Sequence, residues 1–421
     1  MREEKNVLLV ANSRTMLSGM KYLIEQMKKI PYIKIFLLCD NCYYETEDIR
    51  VINIKEKISE ESHLGEDTQV TTDFFNTDRK KIRKQLWQFF SNCKQMRTWN
   101  IKAKKIISDI KPDIIIIGCD RMLDISQAVL KNKKNIPCVK IPIAIQYNYD
   151  NDFGTRFYNY ELVIKNKEFD INRIALLINK NWMKENYGEK RLFYPLGITL
   201  AGWINDMIPI HPWVSGANKA DYIFAVDSRE KERIIAENPK KKNIINTGLL
   251  EDYGIINAQL KSKEIRKYLQ KKYCIEGKIV IFSLPQLAEH NLVGWNIHKK
   301  NVYDITKYIN KHFGKCLISL HPKSRIEDYT FLQEKLDVEF IDEKLREVIA
   351  GADIYLADEN SSTLRWGRML KLQTVELKHL MMLKRIDREK IEELFVSDKY
   401  LDEQFEVKNI VEELKKIMQN I

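Results

Sequence analysis

The sequence predicts an α/β protein made of two Rossmann-like, doubly wound domains facing a cleft. Three observations carry that expectation. At 421 residues the chain exceeds the size at which one hydrophobic core stops growing, so it divides. Short apolar runs alternate with helix-patterned stretches, which is the mark of a parallel sheet with helices on both faces. The runs are apolar at every position rather than at alternate ones, as in strands buried on both sides.

In chain order, "NVLLVANSRTMLSGMKYLIEQMKK" reads as strand, polar turn and helix, and "YIKIFLLCD" as a second strand. "KPDIIIIGCDR" is a buried strand, "DISQAVLKN" a helix and "IPCVKIPIAI" a further strand. The stretch 146–217 breaks this rhythm, being rich in Tyr, Asn and Trp with weak periodicity. It reads as an insertion in the first domain that either shapes an acceptor pocket or interface, or is purely structural. "ADYIFAVDSREKERIIAE" resumes the alternation, and "GKIVIFSLPQ", "KCLISLHPKSR", "VEFID" and "ADIYLADENSS" end four later strands. The expected division is 1–250 for an N-terminal domain carrying that insertion and 251–400 for a C-terminal domain; the family resemblance drawn below implies that the first takes the acceptor and the second the nucleotide donor. The segment 401–421, with "NIVEELKKIMQNI", reads as a closing helix, which the same resemblance implies packs back on the N-terminal domain.

Composition excludes several classes. With 44% hydrophobic and 31% charged residues the chain is globular, and it has no apolar run near the roughly 20 residues that cross a bilayer. "MREEKNVLLVANS" reads as a first strand rather than a signal peptide. Seven scattered cysteines suggest reduced thiols and a cytoplasmic location. Cys39 and Cys42 form one CxxC with no second pair or His cluster, so a strand-end turn is expected there rather than a metal site. The net charge of +11 is spread over many segments and no reader module accompanies it, so no nucleic-acid partner is expected. The segment 79–105, "RKKIRKQLWQFFSNCKQMRTWNIKAKK", interleaves Trp and Phe with cations. That pattern fits a half-buried helix with a solvated cationic face, or a peripheral contact with the inner face of a membrane.

Ligands of open parallel sheets bind beyond the carboxyl ends of the strands, which narrows the candidates to residues 12–15, 118–121, 145–148, 283–289, 321–325 and 358–363. His321 follows an apolar strand with Pro322 behind it and Lys323 and Arg325 beside it, a set suited to a phosphate. Ser361, Ser362 and Thr363, in "ENSST", open a helix, where backbone N–H groups and hydroxyl donors cradle phosphate oxygens. Asp120, in "GCDR", is a strand-end carboxylate suited to a general base. Arg14, in "NSRTML", suits a bidentate phosphate clamp. Glu251 and Asp252 are a second candidate for the base, or a solvated loop.

Together these residues resemble the nucleotide-sugar glycosyltransferases of GT-B fold and their relatives, the UDP-N-acetylglucosamine 2-epimerases. "KPDIIIIGCDR" with "NIPCVKIPIAI" looks like the epimerase "PD…GDR…IP" run, "NSRTML" like its "GTRPE" turn, and "ADYIFAVDS…NTGLLEDYG" like its "ADxxFAPS…TGN" segment. The epimerase "HRREN" is replaced by "LPQLAEHN" and its "SGGxQEE" by "NSSTLRW". The His-Pro and paired-serine motifs are instead similar to those of CDP-glycerol glycerophosphotransferases and bacterial sialyltransferases. That likeness implies that His321, Ser361 and Ser362 hold the donor's phosphate and nucleotide, of UDP or CMP/CDP type, without metal or cofactor. The implied activity is transfer of a sugar, or a related group, to a glycan or lipid-linked acceptor in surface polysaccharide synthesis, with Asp120 as base. The alternatives are an epimerase-like or hydrolysing enzyme of UDP-sugars, and a non-catalytic nucleotide-binding protein.

Overall fold

The computed structural model describes residues 4–54, 82–143, 162–164, 174, 177, 180–186, 189–194, 196–289, 293–321, 324–359, 361–378, 380, 388–397, 405 and 407–420. The chain divides into two compact units, Met1–Leu250 with Glu406–Ile421, and Glu251–Phe405.

The first unit begins with β1 (Lys5–Ala11), α1 (Arg14–Met27), β2 (Ile33–Cys39), β3 (Arg50–Asn53), α2 (Ile82–Ile110), β4 (Ile114–Ile117), α3 (Ile125–Asn132) and β5 (Cys138–Lys140). A small antiparallel sheet of β6 (Leu162–Ile164), β7 (Met183–Asn186) and β8 (Glu189–Leu192) follows. Then come α4 (Leu196–Ile204), β9 (Tyr222–Ala225), α5 (Ser228–Glu237) and β10 (Ile244–Asn246). Among the described residues seven strands form one parallel sheet, ordered β10-β9-β5-β4-β1-β2-β3. Its uniformly apolar strands are explained by two cores. Leu8 and Val10 face one, with Met96 and Trp99 of α2. Val7, Leu9 and Ala11 face the other, with Leu17, Met20 and Leu23 of α1.

Part of the 146–217 stretch is core. Trp182, Phe193 and Trp213 are buried against the first of those clusters. Their polar edges are satisfied, Trp182 Nε1 donating to the Pro209 carbonyl at 3.1 Å and Trp213 Nε1 to the Asn181 carbonyl at 2.7 Å, as buried indoles require. These aromatics therefore fill the unit's interior rather than line a pocket; residues 146–161 lie outside the described residues.

The second unit contains α6 (Asp252–Leu260), α7 (Ser262–Lys272), β11 (Val280–Ser283), α8 (Trp295–Phe313), β12 (Cys316–Ser319), α9 (Phe331–Lys335), β13 (Val338–Phe340), α10 (Leu345–Val348), β14 (Ile354–Asp358), α11 (Leu364–Met369), β15 (Gln373–Leu377) and β16 (Phe395–Ser397). The order is β13-β12-β11-β14-β15-β16, parallel except for β16. Alternation along β14 again serves two cores, Ile354 and Leu356 on one face and Tyr355 and Ala357 on the other.

The chain then returns to the first unit with α12 (Ile410–Gln419), capped by Asn409, whose side chain accepts from Val411 N at 3.0 Å. Ile410, Leu414, Ile417 and Met418 join the core that contains α1. In each sheet the strand order reverses once, between β1 and β4 and between β11 and β14. Such switch points leave a crevice at the carboxyl ends of the two strands. No helix among the described residues is long and apolar enough to cross a membrane. The seven cysteines are free thiols, and Cys39 and Cys42 are buried.

Candidate functional site

At the second unit's switch point, β11 and β14 are paired side by side. Tyr355 of β14 donates its hydroxyl to Ser283 Oγ at the end of β11, at 2.9 Å. The same phenol oxygen is hydrogen-bonded to Thr363 Oγ1, which in turn lies 2.6 Å from Ser361 Oγ. Four hydroxyls thus bridge the two strand ends. Burial pushes the Tyr355 phenol up to about 12, so it stays protonated at neutral pH and acts as a hydrogen-bonding strut.

This arrangement changes the role expected of "ENSST". Ser361 N donates to the Asp358 carbonyl at 2.8 Å, closing the turn. Ser361 Oγ accepts from Thr363 N at 3.4 Å. Thr363 occupies the cap of α11, yet its side chain makes no capping bond, because Oγ1 is engaged by Tyr355 and Ser361. The helix runs only from Leu364 to Met369. Ser361 and Thr363 therefore stiffen the turn from inside, while Ser362 is exposed.

His321 lies just past β12 and is exposed, and its carbonyl accepts from Ser324 N at 2.8 Å. Lys323 lies outside the described residues. Ser324 Oγ donates to Glu289 Oε1 at 2.6 Å, and Tyr329 donates to the same oxygen at 2.7 Å. His298 Nε2 is 2.9 Å from the Tyr329 hydroxyl. With that phenol's proton directed at Glu289, His298 must be the donor and carry its proton on Nε2. Burial lowers the His298 pKa, keeping the ring neutral. The cluster joins the loop after β11 to the loop after β12 and so fixes the surroundings of His321. Sequence reasoning reached Glu289 only as the end of a loop and missed His298 and Tyr329, whose partners lie about 30 to 40 residues away along the chain.

In the first unit Asp120 anchors a loop. Its side chain is fully buried, and its two oxygens accept from Gly216 N at 2.6 Å and Asn218 N at 3.1 Å. Gly216 has φ +91°, and a Cβ there would lie 2.9 Å from Ile223 Cγ2, so the anchored turn needs glycine. A carboxylate that accepts from two backbone amides and is closed off from solvent pins the loop that carries them. Arg121, beside it, donates to the Trp213 carbonyl at 3.2 Å. Arg14 opens α1 behind the Ser13 cap; its side chain lies outside the described residues.

A different carboxyl at the same sheet edge has the electrostatics of an acid–base group. Asp124 caps α3, accepting from Ser126 N at 2.7 Å, and its other oxygen accepts from the amide of Asn12, just past β1. Burial, reinforced by the Asp40 carboxylate beyond β2, pushes Asp124 up to about 7.

Glu251 and Asp252 are not a solvated loop. Asp252 is fully buried and accepts from Arg365 Nε at 2.7 Å, while the Arg365 guanidinium lies 4.6 Å from the Phe405 ring centroid. Glu251 pairs with Arg346 at 3.5 Å, and burial raises its pKa. The structure puts His321 in the loop after β12 and Ser361, Ser362 and Thr363 in the loop after β14, both in the second unit, and Asp120 and Arg14 in the first unit. Among the described residues no group of three or more His, Cys, Asp or Glu side chains could hold a metal ion.

No protein-family model matches the chain, and no curated protein does. Solved structures do. The UDP-GlcNAc 2-epimerase of Methanocaldococcus jannaschii in complex with UDP-GlcNAc and UDP is 13% identical with a TM-score of 0.51, covering 99% of this chain and 100% of that one. The UDP-GlcNAc 2-epimerase of Neisseria meningitidis bound to UDP-GlcNAc is 15% identical at TM-score 0.50, covering 98% and 100%. S. aureus MnaA with UDP is 10% identical at 0.50, covering 99% and 98%. The chain shares the α/β fold of these solved structures.

Proposed function

We propose that this chain is a glycosyltransferase that takes a nucleotide-activated sugar and transfers the sugar, or a related group, to a glycan or lipid-linked acceptor. The observation that carries the reading is the hydroxyl chain Ser361–Thr363–Tyr355–Ser283 across the β11/β14 switch point, the crevice where such folds hold nucleotides. It ties the turn to the strand ends, and both Ser362 and His321 are exposed. In this reading His321, Lys323 and Ser362 contact the donor's phosphates, with Ser361 and Thr363 forming the turn. A rigid set of neutral and cationic donors stabilises the charge that grows on the leaving phosphate, because the donors need not reorganise as the bond breaks. The candidate proton acceptors are Asp120 and Asp124, of which Asp124 has its carboxyl pushed up by burial to about 7, near the range where acid–base catalysis is most effective. The neighbours' bound UDP-GlcNAc and UDP support a pyrimidine nucleotide sugar, of UDP or CMP/CDP type.

Thermal shifts with UDP-, CMP- and CDP-linked donors test the reading, and no shift with any of them sinks it. His321→Ala is expected to abolish the shift while leaving the Tm of the free protein nearly unchanged, since the side chain is exposed. Retained donor binding after EDTA treatment supports transfer without a metal. A second reading, epimerisation or hydrolysis of a UDP-sugar, is favoured by fold matches spanning 98–99% of the chain. Conversion of UDP-GlcNAc without any added acceptor would select it.

A further inference from the structure

Helix α2 runs 29 residues, Ile82–Ile110, and its buried face, with Met96, Trp99, Ala103, Ile106 and Ile110, belongs to the first unit's core. The opposite face is unusual. Trp87, Phe90, Lys94, Arg97, Ile101 and Lys104 recur at spacings of three and four, so they form one stripe. Every one of them is exposed, Trp87 at 67%, Phe90 at 66% and Ile101 at 70%. From Trp87 to Lys104 the stripe is roughly 26 Å long at the helical rise. Beside it, Asn100 donates to the Asn205 carbonyl at 3.5 Å, where α4 ends. There Trp203 and Ile204, 60% and 54% exposed, extend the apolar surface.

Charge says what fits this surface. Ten Lys and Arg residues and no Asp or Glu occupy positions 79–108. Lys94, Arg97 and Lys104 form no ion pair among the described residues. A second copy of the same face would be repelled by its charge. Nucleic acid stacks on flat aromatic rings and has no use for protruding Ile101 and Ile204. An anionic lipid surface meets both features, since its phosphates attract the cations and its acyl boundary takes up Trp, Phe and Ile side chains.

We propose that the α2 stripe, with the end of α4, docks this protein on an anionic lipid bilayer. Trp87, Phe90 and Ile101 enter the headgroup–acyl boundary, and Lys94, Arg97 and Lys104 meet lipid phosphates. The docking stands apart from the donor-site reading, as it uses none of those residues.

Co-sedimentation of the full chain with vesicles tests it. Binding is expected to vesicles of phosphatidylcholine containing phosphatidylglycerol, and not to phosphatidylcholine alone. Trp87→Ser with Phe90→Ser, and separately Lys94→Gln with Arg97→Gln, should each lower the partition coefficient by about tenfold or more. The Tm should be unchanged, because these side chains are exposed. Brominated lipid should quench wild-type tryptophan fluorescence and quench the Trp87→Phe variant distinctly less. Absence of binding to anionic vesicles, wild-type binding by both double variants, RNA binding in place of vesicle binding, or a dimer lost on Trp87→Ser would each overturn the proposal.

Discussion

Arg365 donates from Nε to the Asp252 carboxylate at 2.7 Å, and both side chains are buried, at 5% and 0% exposure. The pair ties the first turn of α11 to the start of α6 within the second unit. A buried pair adds modest net stability, but removing one partner strands the other's charge. Arg365→Ala is therefore expected to destabilise the protein by about 3–5 kcal/mol, read from urea denaturation, and Arg365→Lys should rescue little of it because the Nε geometry is lost. A loss below about 1 kcal/mol would mean that water reaches Asp252.

Asp120→Asn separates a structural role from a catalytic one. The substitution replaces a carboxylate by an amide that can accept at only one atom, leaving one of the Gly216 and Asn218 amides without its partner. The expected cost is about 2–3 kcal/mol, visible as a lower Tm, with activity per folded molecule within a few-fold of wild type. A fall of a thousandfold in kcat at unchanged Tm would restore Asp120 as the base.

Within "ENSST" the three hydroxyls should part company. Thr363→Val and Tyr355→Phe each break the internal chain and should cost about 1 kcal/mol of stability. Ser362→Ala should leave Tm unchanged and weaken donor binding about tenfold, measured by calorimetric titration. The opposite pattern, with Ser362 stabilising and Thr363 inert, would contradict the inward and outward assignment.

Asp124 also makes a pH prediction. Its carboxyl is raised from 3.8 to about 7, so the folded state binds its proton more tightly than the unfolded chain. The resulting stabilisation is complete below about pH 4 and is lost as pH rises towards about 7. Asp124→Asn should flatten the stability profile over that window, and in the transferase reading it should also remove the rising limb of kcat against pH. An unaltered stability profile would show that Asp124 is ionised throughout.

The sheets were readable in the sequence because their strands are buried on both faces and so carry no polar interruptions. "IIII" is one strand, Ile114–Ile117, and "ADIYLAD" another, Ile354–Asp358. The site was less readable. Tyr355 looks like one more core aromatic until its hydroxyl is seen to meet Ser283, 72 residues earlier. Asp120 looked catalytic because it ends a strand, yet its partners lie 96 and 98 residues away. Arg365 met its partner across 113 residues. Local pattern records burial and turns, but whether a polar atom faces a ligand or another segment depends on pairings that only the fold creates.

The return of α12 to the first unit sets the timing of synthesis. Ile410, Val411, Leu414, Ile417 and Met418 complete a core whose other members lie before residue 251. The whole second unit is therefore translated while that patch on the first still lacks its cover. At about 5–20 residues per second this interval lasts roughly 8–30 s, longer than most domains take to fold. During it, Val411 and Leu414's future neighbours form an apolar seam open to chaperones and to nascent copies on the same message. A chain stopped at residue 405 would keep that seam permanently, and its fate would be aggregation rather than the release of two independent halves.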